Sequence, residues 1–168
     1  MNNHITKMQQ QALTAAEYYE KLFMKVTGAK PRKSKQEDYA HIDCYLGDVT
    51  VDVKGARSCQ REGYVLVEFK NVAGKDGWCS RNSADKIAFY FDEGFVVVDT
   101  MDLRRLAERK VIANPLNIGG KVTRANRVGA SAGLYLLCGR DGRKDVFTYI
   151  TKDDLLSLKH DVYEHQNR

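Results

Sequence analysis

The chain predicts an α/β fold: a mixed central sheet that contains an antiparallel hairpin and is flanked by helices. Three observations predict it. Over residues 8–27, Leu13, Ala16, Tyr19 (or Glu20) and Phe23 recur at helical spacing, and Ala12, Leu22 and Val26 widen the stripe. Segments 39–46, 49–55 and 63–70 then alternate apolar and polar residues at the strand period. The run Gly94–Asp99 is almost wholly apolar, as in a strand buried on both faces. The 168 residues suffice for one domain with its own core, and no linker or repeat divides 1–168.

Gly28 is a helix stop and Pro31 follows it, so residues 29–38 read as a basic loop. Gly47-Asp48 is a two-residue hairpin turn, and glycine in first place suits type II′. That turn length pairs Cys44 with Val51 and Asp43 with Asp52. A polar loop, 56–62, leads to the third strand, whose expected register sets Glu68 opposite Asp52. After a glycine-rich loop, 71–79, a short helix is expected from Ser83 to Tyr90. The buried strand precedes a helix over 101–110, where Leu103, Leu106 and Ala107 share a face. Residues 113–133 read as a long functional loop. Residues 134–138 and 146–150 read as a hairpin, 153–159 as a closing helix and 160–168 as a frayed polar tail.

Composition narrows the function. No apolar run approaches the roughly 18 residues that span a membrane, and Met1-Asn2-Asn3-His4 lacks a signal-peptide pattern. Cytoplasmic residence without membrane association is therefore the expectation. Cys44, Cys59, Cys79 and Cys138 form no CxxC pair, so they read as reduced and structural. Gly119-Gly120-Lys121 lacks the Walker spacing, which excludes an ATP loop, and neither GxGxxG nor HExxH occurs. The net charge of +5 permits a polyanionic partner.

The polar positions of the three strands are where chemistry is expected. They carry acids and lysines instead of Thr, Ser or Gln: Asp43 with His41, then Asp52 with Lys54, then Glu68 with Lys70. Directly opposed residues have Cβ atoms about 4.5–5.5 Å apart, so Asp43 and Asp52 repel unless a cation lies between them. Hard carboxylate oxygens suit Mg²⁺. Asp43 and Asp52 are thus candidate metal ligands, with the Val53 carbonyl and Glu68 as additional ones. Lys54 is a candidate for stabilising charge on a phosphodiester transition state. His41 reads as a neighbour on this face.

Asp43 followed by Asp52-Val53-Lys54 resembles the PD-(D/E)XK nuclease superfamily, whose pattern is an acid on one hairpin strand and acid-x-Lys on the next. The similarity extends through the VEFKN strand, the GWCSRNSADKIAF segment and the FVVVD strand, over about residues 10–110. It implies a restriction-endonuclease-like fold and a Mg²⁺-dependent endonuclease in which Mn²⁺ substitutes. The substrate would be DNA, with branched intermediates as one class, and the setting a bacterial or phage-infected cell. A helix acid near the site is also implied. Glu17 is the best match, as in Holliday-junction resolvases, and Glu20 the other option; a resolvase-like member would be a homodimer. Ile42 stands where the pattern has Pro, and the second acid is Asp instead of Glu. Glu68-Phe69-Lys70 is a competing acid-x-Lys frame, and Asp52 serves either one.

Nucleic-acid contacts are expected from Arg32, Lys33, Lys35, Lys70 and Lys75, and from Lys121, Arg124 and Arg127 in the long loop. Trp78 and Tyr64 are candidates for stacking on bases. The alternatives are a module on the same fold that binds nucleic acid without cleaving it, and a protein-interaction factor such as a phage inhibitor.

Overall fold

The computed structural model describes residues 7–55, 63–71, 73–91, 94–113, 135–138 and 145–165. Helix α1 (Lys7–Thr27) stops where Gly28 adopts a φ of +75° and its N–H donates to the Met24 carbonyl at 2.9 Å. Only glycine takes that conformation without a Cβ penalty. The chain continues through β1 (Lys30–Pro31), α2 (Lys35–Tyr39), β2 (Cys44–Leu46), β3 (Val49–Lys54), β4 (Tyr64–Lys70) and α3 (Trp78–Arg81). Then come β5 (Lys86–Phe91), β6 (Gly94–Asp99), α4 (Thr100–Ala113), β7 (Tyr135–Cys138), β8 (Asp145–Thr151), α5 (Lys152–Leu156) and β9 (His160–Glu164).

The expected mixed α/β architecture is present, as two sheets. The larger has six strands in the order β1-β2-β3-β5-β6-β9. All its pairs are antiparallel except β3 with β5, which is parallel. The smaller is antiparallel, with the order β4-β8-β7. Strand alternation gives the larger sheet an apolar surface on each face. Val51, Val53, Ala88, Tyr90, Phe95 and Val97 pack with Leu22 and Phe23 of α1. On the other face Ile87, Phe89, Val96 and Val98 meet Val65 and Val67 of β4, Ile150 of β8 and Leu103 of α4. Among the described residues no helix is long and apolar enough to cross a membrane.

The hairpin register agrees with the expectation: Cys44 faces Val51, Tyr45 faces Thr50 and Leu46 faces Val49. Gly47 has a φ of +64° and Asp48 is not left-handed, as a type II′ turn requires. Four expectations need correction. Strand β2 begins only at Cys44, because residues 35–39 close into the capped helix α2. The third strand does not pair with β3. It leaves for the smaller sheet, where Glu68 faces Phe147, and β5 takes the place beside β3, so that Asp52 faces Ile87. The helix expected from Ser83 is strand β5: Ile87, Phe89 and Phe91 face one core and Ala88 and Tyr90 the other, which hides the strand period. The tail is not frayed over 160–164, because β9 pairs with β6 through its backbone and Tyr163 packs on the α1 core. Of the loop expected at 113–133, Ala113 ends α4 and residues 114–133 lie outside the described residues.

Phe23 is fully buried and meets Phe95 and Tyr163 edge-on, with centroids 5.0 and 6.1 Å away. Phe23→Ala should destabilise the protein by about 3–5 kcal/mol, read as a lower midpoint in urea denaturation at an unchanged slope.

Candidate functional site

The chain enters the hairpin obliquely. The Ile42 N–H donates to the Glu37 carbonyl in α2, and the Asp43 N–H donates to Val51 O at 2.9 Å. Asp43 lies one residue before β2 begins, and its carboxyl is within hydrogen-bonding reach of that of Asp52. Strand β2 is too short to reach the Val53 N–H, and the Asp43 side chain takes its place: Oδ2 accepts that N–H at 2.8 Å. A side chain thus completes the ladder and is fixed in orientation by it.

Asp52 is only 1% exposed. A carboxylate so far from water must be paired and hydrogen-bonded. Lys54 Nζ lies 2.9 Å from Oδ1, and the Asn82 amide donates to Oδ2. The Lys54 ammonium also sits over the Trp78 ring, 5.2 Å from its centroid. Asn82 is itself anchored. Its Oδ1 accepts the Ala84 N–H at 3.0 Å, and Arg104 of α4 donates to its carbonyl and to that of Cys79.

On the α1 side, Arg32 joins three acids. Its Nη1 is 3.3 Å from Asp43 Oδ1 and 3.5 Å from Glu20 Oε2, and its Nη2 is 3.3 Å from Asp38 Oδ1. Burial, followed by the charge of Asp52, pushes the Asp43 carboxyl up to about 6. Burial and then the charge of Asp43 push Glu20 up to about 7. His41 has a φ of +59°, and its Nε2 is buried without a hydrogen-bond partner. Burial, with help from Lys54 and Arg81, lowers its pKa, which favours the neutral ring.

Asp43, Asp52, Val53 and Lys54 are therefore together, as expected. Glu68 does not stand opposite Asp52: Asp52 faces Ile87, and Glu68 faces Phe147. It lies in β4 beside Gly77, where an added Cβ would come within 2.8 Å of Glu68 Cγ. Among the described residues, no group of three or more His, Cys, Asp or Glu is placed to hold a metal ion. The helix acid at the site is Glu20; Glu17, one turn earlier, is exposed and does not share Arg32.

Of the expected nucleic-acid contacts, Arg32 is turned inward onto the acids, and Lys70 is paired with Asp76 at 2.6 Å. Lys33, Lys35 and Lys75 are exposed, with Lys33 over the Tyr45 ring. Lys121, Arg124 and Arg127 lie outside the described residues. Trp78 packs edge-on to Phe89 and Tyr64 edge-on to Tyr149, so both rings have partners within the protein. Cys44 and Cys79 are free, and burial pushes their thiols up to about 12 and about 11, which keeps them protonated and inert. Asn82 was not foreseen. Its only signal was an Asn just after a short Trp-Cys-Ser-Arg turn, a common place for a loop residue. No family model matches the chain, and no curated protein and no solved structure matches it.

The raised Asp43 carboxyl has a definite sign. The folded state holds this proton up to about pH 6, whereas a free aspartate loses it near 3.8. Between those values the folded state binds more protons, so the group's contribution to stability falls as pH rises. The stability of the wild type relative to Asp43→Asn should therefore decline from about pH 4 to about pH 6. Urea denaturation across that window measures it, and a flat difference would contradict the burial and charge assigned to Asp43.

Proposed function

We propose that the chain is a metal-dependent endonuclease acting on DNA, of the PD-(D/E)XK kind. The observation that carries this reading is the adjacent pair of carboxyls Asp43 and Asp52 with Lys54 bound to the second acid. The donor set fits a hard divalent cation. Mg²⁺ commonly takes one or two carboxylates and completes its shell with water. Positive charge beside the two acids also relieves the repulsion that, after burial, raises Asp43. Asp43 and Asp52 would hold the ion, with the Val53 carbonyl beside them. When bound, such an ion supplies an acidified water and neutralises phosphate charge.

The chain's own residues have separable tasks. Asn82 and the Val53 N–H orient the two carboxylates. Lys54, braced between Asp52 and Trp78, holds an ammonium where charge develops on a cleaved phosphodiester. Arg32 keeps Asp43 and Glu20 close despite their like charge. One observation favours the non-cleaving alternative: Arg32, Lys54 and Asn82 already satisfy the acid cluster from within the chain.

Purified protein with Mn²⁺ and branched, single-stranded and duplex DNA tests the proposal. Cleavage should require the ion and stop with chelator, and Asp52→Ala and Lys54→Ala should each lose about 10²-fold or more. Uncut DNA of every kind, or full activity in Asp52→Ala, would refute the nuclease and leave the non-cleaving reading.

A further inference from the structure

Beside the acid cluster lies an open cleft of about 550 Å³, lined by Arg32, Lys33, Ser34, Lys35, Asp38 and Tyr39. That volume is within the range of small-ligand sites, roughly 300–1,000 Å³. The walls are held in shape. Ser34 and Glu37 form a reciprocal capping box at the start of α2, and the Tyr45 hydroxyl donates to Glu37. Lys33 rests over the Tyr45 ring at 4.6 Å. Lys33 and Lys35 are exposed, and neither forms a salt bridge with an acid among the described residues. Tyr39 is 82% exposed, the largest exposure among the large hydrophobic side chains described. An aromatic ring left in water beside two cations is a stacking platform next to a phosphate track.

The cleft leads to the acids. Arg32 belongs both to its lining and to the ion pairs with Asp43 and Glu20, and Ala40–Asp43 follow directly after Tyr39. We infer that this cleft binds single-stranded DNA, with an unpaired base on Tyr39 and backbone phosphates on Lys33 and Lys35. A base in a duplex shows only its edges, because its faces are stacked on neighbouring pairs. Tyr39 can therefore take a base only where pairing is broken. The inference rests on the nuclease reading for the choice of DNA and deepens it: the strand delivered to Asp43 and Asp52 is unpaired.

Binding without divalent ion separates the two proposals. A fluorescent deoxythymidine oligomer of about 12 nucleotides and a duplex of equal length are titrated with full-length protein in chelator. The wild type should prefer the single strand. Tyr39→Ala should weaken single-strand binding at least about fivefold with little effect on the duplex. Lys33→Ala with Lys35→Ala should lower the slope of log affinity against log salt by about 1.4. Unchanged single-strand affinity in Tyr39→Ala, or equal weakening on both probes, overturns the inference even if the protein cuts DNA. Selective loss in Tyr39→Ala sustains it even if no cleavage is found. Tyr39 lies at the surface, and a circular dichroism melt matching the wild type confirms that the variant is folded.

Discussion

Asp52 is a carboxylate withdrawn from water, with a second carboxyl, Asp43, beside it, and the surrounding elements are arranged to make that tolerable. Lys54 approaches from its own strand and Asn82 from the end of α3. Arg32 reaches the partner acid from the segment after β1, and the free N–H of Val53 takes the remaining oxygen. These groups come from separate parts of the chain, yet all converge at the end of β3. Removing one would strand a buried charge, which is far more destabilising than replacing the whole cluster by apolar residues. A stability argument alone would favour an apolar cluster there, so the acids call for a chemical reason, which the proposed function supplies.

How well the sequence revealed this site depended on how local each contact was. The register of Cys44 against Val51, which brings Asp43 near Asp52, was legible because a two-residue turn with glycine first leaves one register open. Lys54 followed from parity. Strand β4 was recognisable as a strand, but its partner was not. Alternation tells which face of a strand is buried and is silent about which neighbour covers its edge. Glu68 was therefore assigned to a register it does not occupy. The choice between Glu17 and Glu20 also depended on tertiary placement: both lie on α1, but only Glu20 meets Arg32. Arg32 looked like one more surface cation in a basic loop, and its inward turn required Asp43 and Asp38 to be in place first.

Strands β5 and β9 were missed for opposite reasons. In β5 both faces are buried, so the apolar run loses its strand period and can be read as a short helix. In β9, an edge strand, Asp161, Val162 and Glu164 are exposed, and the segment looks like a tail. Backbone pairing with β6 orders it, together with one aromatic anchor, Tyr163, and that contribution is nearly independent of side-chain type.

The parallel pair β3–β5 has a consequence for the order in which the protein is made. The connection between these strands includes β4, whose partner β8 is near the far end of the chain. Gly77 and Ser80 bond to the Phe69 carbonyl of β4, and so tie α3 to that strand. During synthesis the acidic hairpin emerges early. The segment of Trp78 and Asn82 meets Asp52, Phe89 and Arg104 first, and its neighbour β4 is paired only after β8 has been made. The acid pair can therefore be sheltered before the strand behind α3 has found its partner, and the second sheet closes last.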